Sequence, residues 1–182
     1  MINITDLDKY KSTPVDPTYP ANMRTFYSPH DDVHGALKEI LLSCKQSLVI
    51  AMYGWDDDEL AQIVDDIMKN PKIHCQITLD KSQAGGVHER ELLAKYHEEM
   101  ESNSVAIGTY EKGAIMHRKM VIVDGTIRIS GSTNWSLSGE QKQDNELTVL
   151  NSAIACVEAR HILDLEHVKA LTQMAKLKVD KQ

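Results

Sequence analysis

The chain has 182 residues, of which 42% are hydrophobic, with a formal net charge of −7 and three cysteines. That length suits one domain with a substantial core; the composition excludes a low-complexity chain, and no apolar run approaches the length of a membrane span. The acidic balance excludes indiscriminate adhesion to nucleic acid, which depends on phosphate neutralisation, while leaving room for a local basic groove of Lys112, Arg118, Lys119, Arg128 and Lys142.

Residues 1–21 carry Pro14, Pro17 and Pro20 without periodicity and are expected to form an extended N-terminal arm, leaving 22–182 as a single domain. The first six residues lack the charged and apolar regions of a signal peptide, which points to the cytoplasm. Cys44, Cys75 and Cys156 are widely spaced and odd in number, and they read as small buried hydrophobes in a reducing compartment. Ser28-Pro29-His30-Asp31 has the form of a helix start, and the stripe Val33, Leu37, Leu41, Cys44 predicts an amphipathic helix over 29–45. Residues 47–53 are nearly all apolar, as in a strand buried on both faces. A second helix, 57–68, turns Leu60, Ile63, Val64 and Ile67 inward, and the alternation of Ile73, Cys75, Ile77 and Leu79 predicts another strand. Helix, strand, helix, strand indicates an α/β sheet with helices packed on it. Gly85-Gly86 opens a loop into a weaker helix at about 88–100, followed by strands at 105–110, 117–123, 126–130 and 147–150. A long helix over about 152–177 closes the chain, with Ile154, Val157, Leu165, Val168 and Leu171 assigned to its buried side.

The chemistry concentrates in the hairpin. Residues two apart on a strand face the same way, so His117 and Lys119 present an imidazole beside a fixed positive charge, a pairing suited to attack on a phosphate. Asp124-Gly125 favours a two-residue type I′ turn, which folds that strand back against the one leading to Gly131-Ser132-Thr133-Asn134-Trp135. A phosphodiester is protected by its negative charge and its poor leaving group; lysine and asparagine donors stabilise developing charge, a histidine attacks, and a second acid protonates the departing oxygen. The competing reading is an amphipathic hairpin whose polar residues happen to be His and Lys.

His117-x-Lys119, then Asp124, then Gly131-Ser132-x-Asn134 resembles the HKD motif of the phospholipase D superfamily. Phe26-Tyr27-Ser28-Pro29, Ile50-Ala51-Met52-Tyr53 and Leu79-Asp80-Lys81-Ser82-Gln83 look like segments of its small bacterial endonucleases, so the resemblance runs from about 26 to 150. It implies an α/β fold, a phospholipase D-like mixed β-sheet flanked by helices on both faces. It further implies a metal-independent phosphodiesterase without cofactor, cleaving DNA or RNA through a phosphohistidine. Only one motif is present, so the resemblance implies a symmetric homodimer with a shared site. His117 of one subunit would be nucleophile and that of the other general acid, with Lys119 and Asn134 on the phosphate oxygens and Ser132 in support. Asp124 and Gly131 are assigned structural parts. Family members carry a glutamate shortly after the asparagine to orient the histidine; Glu146 is the first choice and Asp144 the second, although counting from Ser132 lands on or beside Asn145. Arg118 and Trp135 are candidates for substrate contact, Trp135 alternatively a core aromatic. His30, His34, His74, His88, His97, His161 and His167 read as surface residues, with His30/His34 and His88/Glu91 at helical spacing but no third ligand to make a metal centre. Two alternatives stay open: a phospholipase or phosphatidyltransferase, whose lipid-active relatives usually carry two motifs in a longer chain, and a catalytically silent nucleic-acid-binding dimer. No stable membrane association is expected, for want of an amphipathic helix rich in Lys and Trp.

Overall fold

Alternation along Ser47–Met52 sets the layering. Leu48, Ile50 and Met52 join a cluster with Val33, Leu37, Ile40, Leu60 and Val64, while Val49 and Ala51 point the other way and meet Cys156, Ala159 and Leu163. Both faces of this strand are therefore buried under helices, which is why its sequence is continuously apolar. The computed structural model describes residues 2–81, 102–108 and 114–179. Its strands are β1 (Met23–Ser28), β2 (Ser47–Met52), β3 (Trp55–Asp56), β4 (His74–Asp80), β5 (Asn103–Gly108), β6 (Lys119–Val123), β7 (Ile127–Gly131), β8 (Trp135–Ser136) and β9 (Asn145–Asn151). The helices are α1 (Val33–Leu42), α2 (Asp58–Met68), α3 (Leu137–Gln141) and α4 (Ala153–Val179), preceded by a 3-10 helix, Ile4–Tyr10.

Seven strands form one mixed sheet in the order β1-β9-β7-β6-β2-β4-β5, and β3 and β8 make a small second pair. The run β2-β4-β5 is parallel and the other ladders of the large sheet are antiparallel, so the sheet is the mixed one expected. Cys44, Cys75 and Cys156 are free and buried. No helix among the described residues is long and apolar enough to cross a membrane. The predicted Gly85-Gly86 loop, the helix at 88–100 with His88, Glu91 and His97, the end of the strand at 109–110, and Lys112 lie outside the described residues.

Three expectations change. The N-terminal segment is not an extended arm throughout: Ile4 and Leu7 are fully buried in the main cluster, and Arg24 and Asp31 hold Asp8 and Lys11 in ion pairs of 2.5 Å. Its i, i+3 apolar spacing is too brief to register beside three prolines. Leu7→Ala is accordingly expected to cost about 2–5 kcal/mol, where a loose arm would tolerate it, and a denaturant midpoint at constant m-value checks this. Second, Ser28 ends β1 and does not cap a helix; register with β9 (Phe26↔Leu147, Ser28↔Asn145) holds it in the sheet, and α1 starts at Val33 with the Asp32 carboxylate capping Gly35 N at 2.8 Å.

The third change concerns α4. The face packed on the sheet carries Cys156, Ala159, Leu163, His167 and Ala170, all buried, whereas Ile154, Val157, Leu165, Val168 and Leu171 are exposed, Ile154 by 84%. Small side chains let the helix approach the sheet closely, and that criterion outweighed the count of large aliphatics. His167, read as a surface histidine, is enclosed between Thr78 Oγ1 (2.8 Å) and Ser104 Oγ (2.7 Å), and burial lowers its pKa to about 4.

Candidate active site

The hairpin between β6 and β7 is pinned by its turn. Asp124 and Gly125 have φ of 51° and 63°, the left-handed values that a type I′ turn demands at both central positions. The Asp124 carboxylate accepts hydrogen bonds from the backbone amides of Lys45, Gln46 and Ser47 at 2.7–3.1 Å, tying the hairpin to the loop before β2. Burial would raise this carboxyl, but the amides of Ser47, Gln46 and Lys45 outweigh it and hold it below the ordinary aspartate value. A depressed folded-state pKa adds stability that is fully present above the unfolded value near 3.9 and is lost as pH falls through the folded one. Asp124→Asn, which keeps the tolerance for positive φ, is expected to cost about 1–3 kcal/mol at pH 7 and to flatten the loss of stability on acidification through the carboxylate range, as read by urea titration.

Far from that turn, the start of β6 presents the motif. Lys119 pairs with Met52, and Tyr53 N donates to Arg118 O at 2.8 Å, carrying the β2–β6 pairing one step beyond the strand. His117 thus precedes the regular strand, which begins at Lys119 and not at 117 as predicted. Upstream, the buried Asp80 at the end of β4 accepts from Met116 N at 2.6 Å and fixes the segment entering the site. Lys119 is 6% exposed while His117 is open to solvent, and Lys119 Nζ lies 2.8 Å from His117 Nε2. Tyr53 braces both: its ring is edge-on to the imidazole at 4.6 Å and under the Lys119 ammonium at 4.9 Å. Burial lowers the Lys119 pKa. The only side-chain hydrogen bond to the His117 ring among the described residues comes from Lys119.

Next to Tyr53, Gly54 makes room for Asn134: a Cβ there would stand 3.0 Å from Asn134 Cγ. Asn134 Oδ1 is buried without a partner among the described residues. Gly131 is required by the close approach of β7 to β9, where a Cβ would lie 2.1 Å from Glu146 O. Ser132 is held by Glu146 through the backbone, Ser132 N to Glu146 O at 3.0 Å and Glu146 N to Ser132 Oγ at 3.1 Å, while its hydroxyl donates to Asn145 Oδ1 at 2.9 Å. The side chain meeting Ser132 is therefore an amide. Glu146 is exposed and follows Asn145 on β9, so strand alternation turns it away from Ser132. Neither Glu146 nor Asp144 reaches His117 within one chain.

Two expected substrate contacts are otherwise engaged. Trp135 is 1% exposed and packs edge-on against Trp55 at 4.8 Å between β8 and β3, so it props the Asn134 turn and offers no face for a base. Arg118 Nε donates to both carboxylate oxygens of Glu166 on α4 at 2.8 Å, fastening the motif strand to that helix. Tyr53 and Gly54 are the residues that sequence reasoning missed; their signal was a polar aromatic and a glycine directly after a wholly apolar strand.

Residues 37–164, more than half of the chain, match the family model described as cardiolipin synthase, PLD-like domain. No curated protein matches in sequence. Among solved structures the chain is similar to Nuc from Salmonella typhimurium, described as a phospholipase D family member, with a TM-score of 0.68 at 16% identity over 79% of this chain and 92% of that one. NucT from Helicobacter pylori gives 0.68 at 19% identity, covering 81% and 96%. Phosphatidylserine synthase from Haemophilus influenzae gives 0.63 at 14%, covering 97% of this chain and 51% of that one. The mixed sheet between two helical layers is the fold shared with these structures, and the family model spans more than half of the sequence, so the chain belongs to the phospholipase D-like family.

Proposed function

We propose that this protein is a metal-independent phosphodiesterase acting on nucleic acid as an endonuclease, through a site shared by two subunits. The observation that carries the reading is the 2.8 Å contact between Lys119 Nζ and His117 Nε2, with the lysine buried and the histidine exposed. A phosphate entering there takes the ammonium onto a non-bridging oxygen and frees the Nε2 lone pair for phosphorus. Asn134 and Lys119 then hold the oxygens as charge builds.

In this mechanism a P–N bond forms to His117 as the P–O bond to the leaving group breaks, and the departing oxygen takes a proton from His117 of the partner subunit. That second imidazole, now neutral, removes a proton from water; the hydroxide attacks phosphorus, the P–N bond breaks, and His117 is regenerated. Ser132 and Asn145 support the phosphate from the β7–β9 side. Among the described residues no carboxylate hydrogen-bonds His117, and in the shared-site reading the orienting part assigned to Glu146 or Asp144 is played across the two-fold axis.

A second reading, phosphodiester transfer on lipids, is favoured by the likeness to a phosphatidylserine synthase that spans 97% of this chain, and by the family model's description. A third reading, nucleic-acid binding without cleavage, accords with a fold similar to TrmBL2, described as an archaeal chromatin protein with a novel mode of DNA binding, at 10% identity and a TM-score of 0.61. Incubating the protein with end-labelled DNA, labelled RNA and phosphatidylcholine vesicles in EDTA, beside His117→Ala, separates the three. Cleavage of nucleic acid by the wild type alone supports the proposal; choline release overturns it in favour of lipid, and binding without any cleavage leaves only the silent module.

A further inference from the structure

On the α1–α2 side of the sheet, three elements bring unlike donors together. His34 stands in the first turn of α1, Asp57 caps α2, and Glu140 lies in α3, just after the Asn134 turn. Asp57 Oδ2 and Glu140 Oε2 approach His34 Nδ1 at 3.3 and 2.7 Å, and one ligand atom from each residue lies within 4.8 Å of the other two. The far nitrogen of the ring, Nε2, meets Glu59 Oε2 at 2.8 Å, and Glu59 is in turn paired with Lys38.

These contacts are rich in carboxyl groups: one imidazole faces three, of which only Glu59 has a lysine among the described residues. Glu140 carries the independent sign of a missing partner. Its side chain is 1% exposed, and its second oxygen, Oε1, is buried with no hydrogen-bond donor among the described residues. A buried carboxylate oxygen left unpaired is costly, and such groups are normally satisfied by a donor or a cation. Asp57 is already oriented, since its Oδ1 accepts from Leu60 N at 2.7 Å and leaves Oδ2 directed at the cluster. With Glu59 on Nε2, an ion that displaces the proton shared by Nδ1 and Glu140 meets the Nδ1 lone pair directed inward, the carboxylate–histidine arrangement that orients metal-bound imidazoles. A tetrahedral ion with bonds of about 2.1 Å keeps its ligand atoms roughly 3.4 Å apart, which the 3.3 Å separation meets and the 2.7 Å separation reaches by a small opening. A cavity bordered by Pro29, His30, Asp32, His34, Glu140 and Gln141 gives an ion a way in and leaves space for a water as fourth ligand.

We propose that His34 Nδ1, Asp57 Oδ2 and the Glu140 carboxylate form a binding site for a divalent transition-metal ion of the zinc class. The ion clasps α1, α2 and α3 and takes no part in the phosphodiester chemistry. Its structural reach is short: Gly139, beside Glu140, accepts from Ser28 Oγ and Asn145 Nδ2 at 3.1 Å each, and a Cβ on Gly139 would stand 2.5 Å from Asn134 O. Fixing α3 therefore fixes the turn that presents Asn134.

The test uses the whole chain stripped with EDTA, dialysed free of chelator and titrated with ZnCl2 or MgCl2 by calorimetry and thermal unfolding. One equivalent of Zn²⁺ is expected to bind per chain and to raise Tm by roughly 5–10 °C at a hundredfold excess over Kd, with Mg²⁺ far less effective. His34→Gln and Glu140→Gln should abolish the shift, whereas His117→Ala should retain it in full, keeping the result independent of the catalytic reading. Absence of saturable Zn²⁺ binding to the wild type, an equal response to Mg²⁺, or a shift that persists in both variants overturns the proposal.

Discussion

His117→Ala is expected to abolish phosphodiester cleavage, lowering kcat by about 10³-fold or more, because the reaction loses the atom that bonds to phosphorus. Lys119→Met should cost about 10²–10³-fold, the usual loss when one preorganised donor to a developing oxyanion is removed. The two differ in stability. His117 is exposed and its removal should leave Tm unchanged, whereas Lys119 is buried under Tyr53 with its ammonium desolvated, so methionine there should be neutral or stabilising. Activity measured well below Tm in EDTA should survive, which separates the chemistry from any stabilising ion. Inactivity in chelator that added Mg²⁺ restores, with the fold intact throughout, would contradict the proposed mechanism. A reaction quenched at alkaline pH should leave label from the substrate on the wild-type protein and none on His117→Ala.

Mixing wild-type and His117→Ala subunits should give a dominant loss. One imidazole cannot stand on both sides of the same phosphorus, and the other His-x-Lys in the sequence, His167-Val168-Lys169, has its imidazole buried between Thr78 and Ser104. In the proposed dimer an isologous contact would supply the second, because residues near a two-fold axis meet their own copies. After equilibration at equal concentrations, about one quarter of dimers carry two intact histidines, so activity should fall to about a quarter of the value expected were all subunits wild type. Retention of half, or an active species sedimenting as a monomer, would show that each chain is self-sufficient. Because two Lys119 ammonium groups would repel across an empty site, sulfate or phosphate should shift the sedimentation equilibrium towards the dimer.

How far the chain could be read depended on the range of the interaction. The Asp124-Gly125 turn, the apolar β2 and the helix capped by Asp57 are written in adjacent residues, and the structure has them where local rules put them. The order of His117, Lys119, Ser132 and Asn134 was equally local. What stayed hidden was set by partners far along the chain. His34 and Glu140 are 106 positions apart, and nothing near His34 distinguishes it from a solvated histidine. The 3-10 helix is legible only once Leu7 is known to have a cluster to enter. For α4 the sequence offers two apolar stripes, and hydrophobicity alone prefers the bulkier; the sheet is met by the one that carries Cys156, Ala159, Leu163 and Ala170.

Asn134 is framed by vacant space. Gly54 presses on its amide, Gly139 on its carbonyl, and Gly131 lets β7 settle against β9 just before it. None of the three touches phosphate in the proposed mechanism, yet each permits a separation that even one methyl group would disturb. The practical consequence is diagnostic. Among chains that keep the motif letters, Gly131 included, a side chain at the position of Gly54 or Gly139 marks a pocket that has closed, and the proposed competence is better judged by those two silent positions together with the motif than by the motif alone.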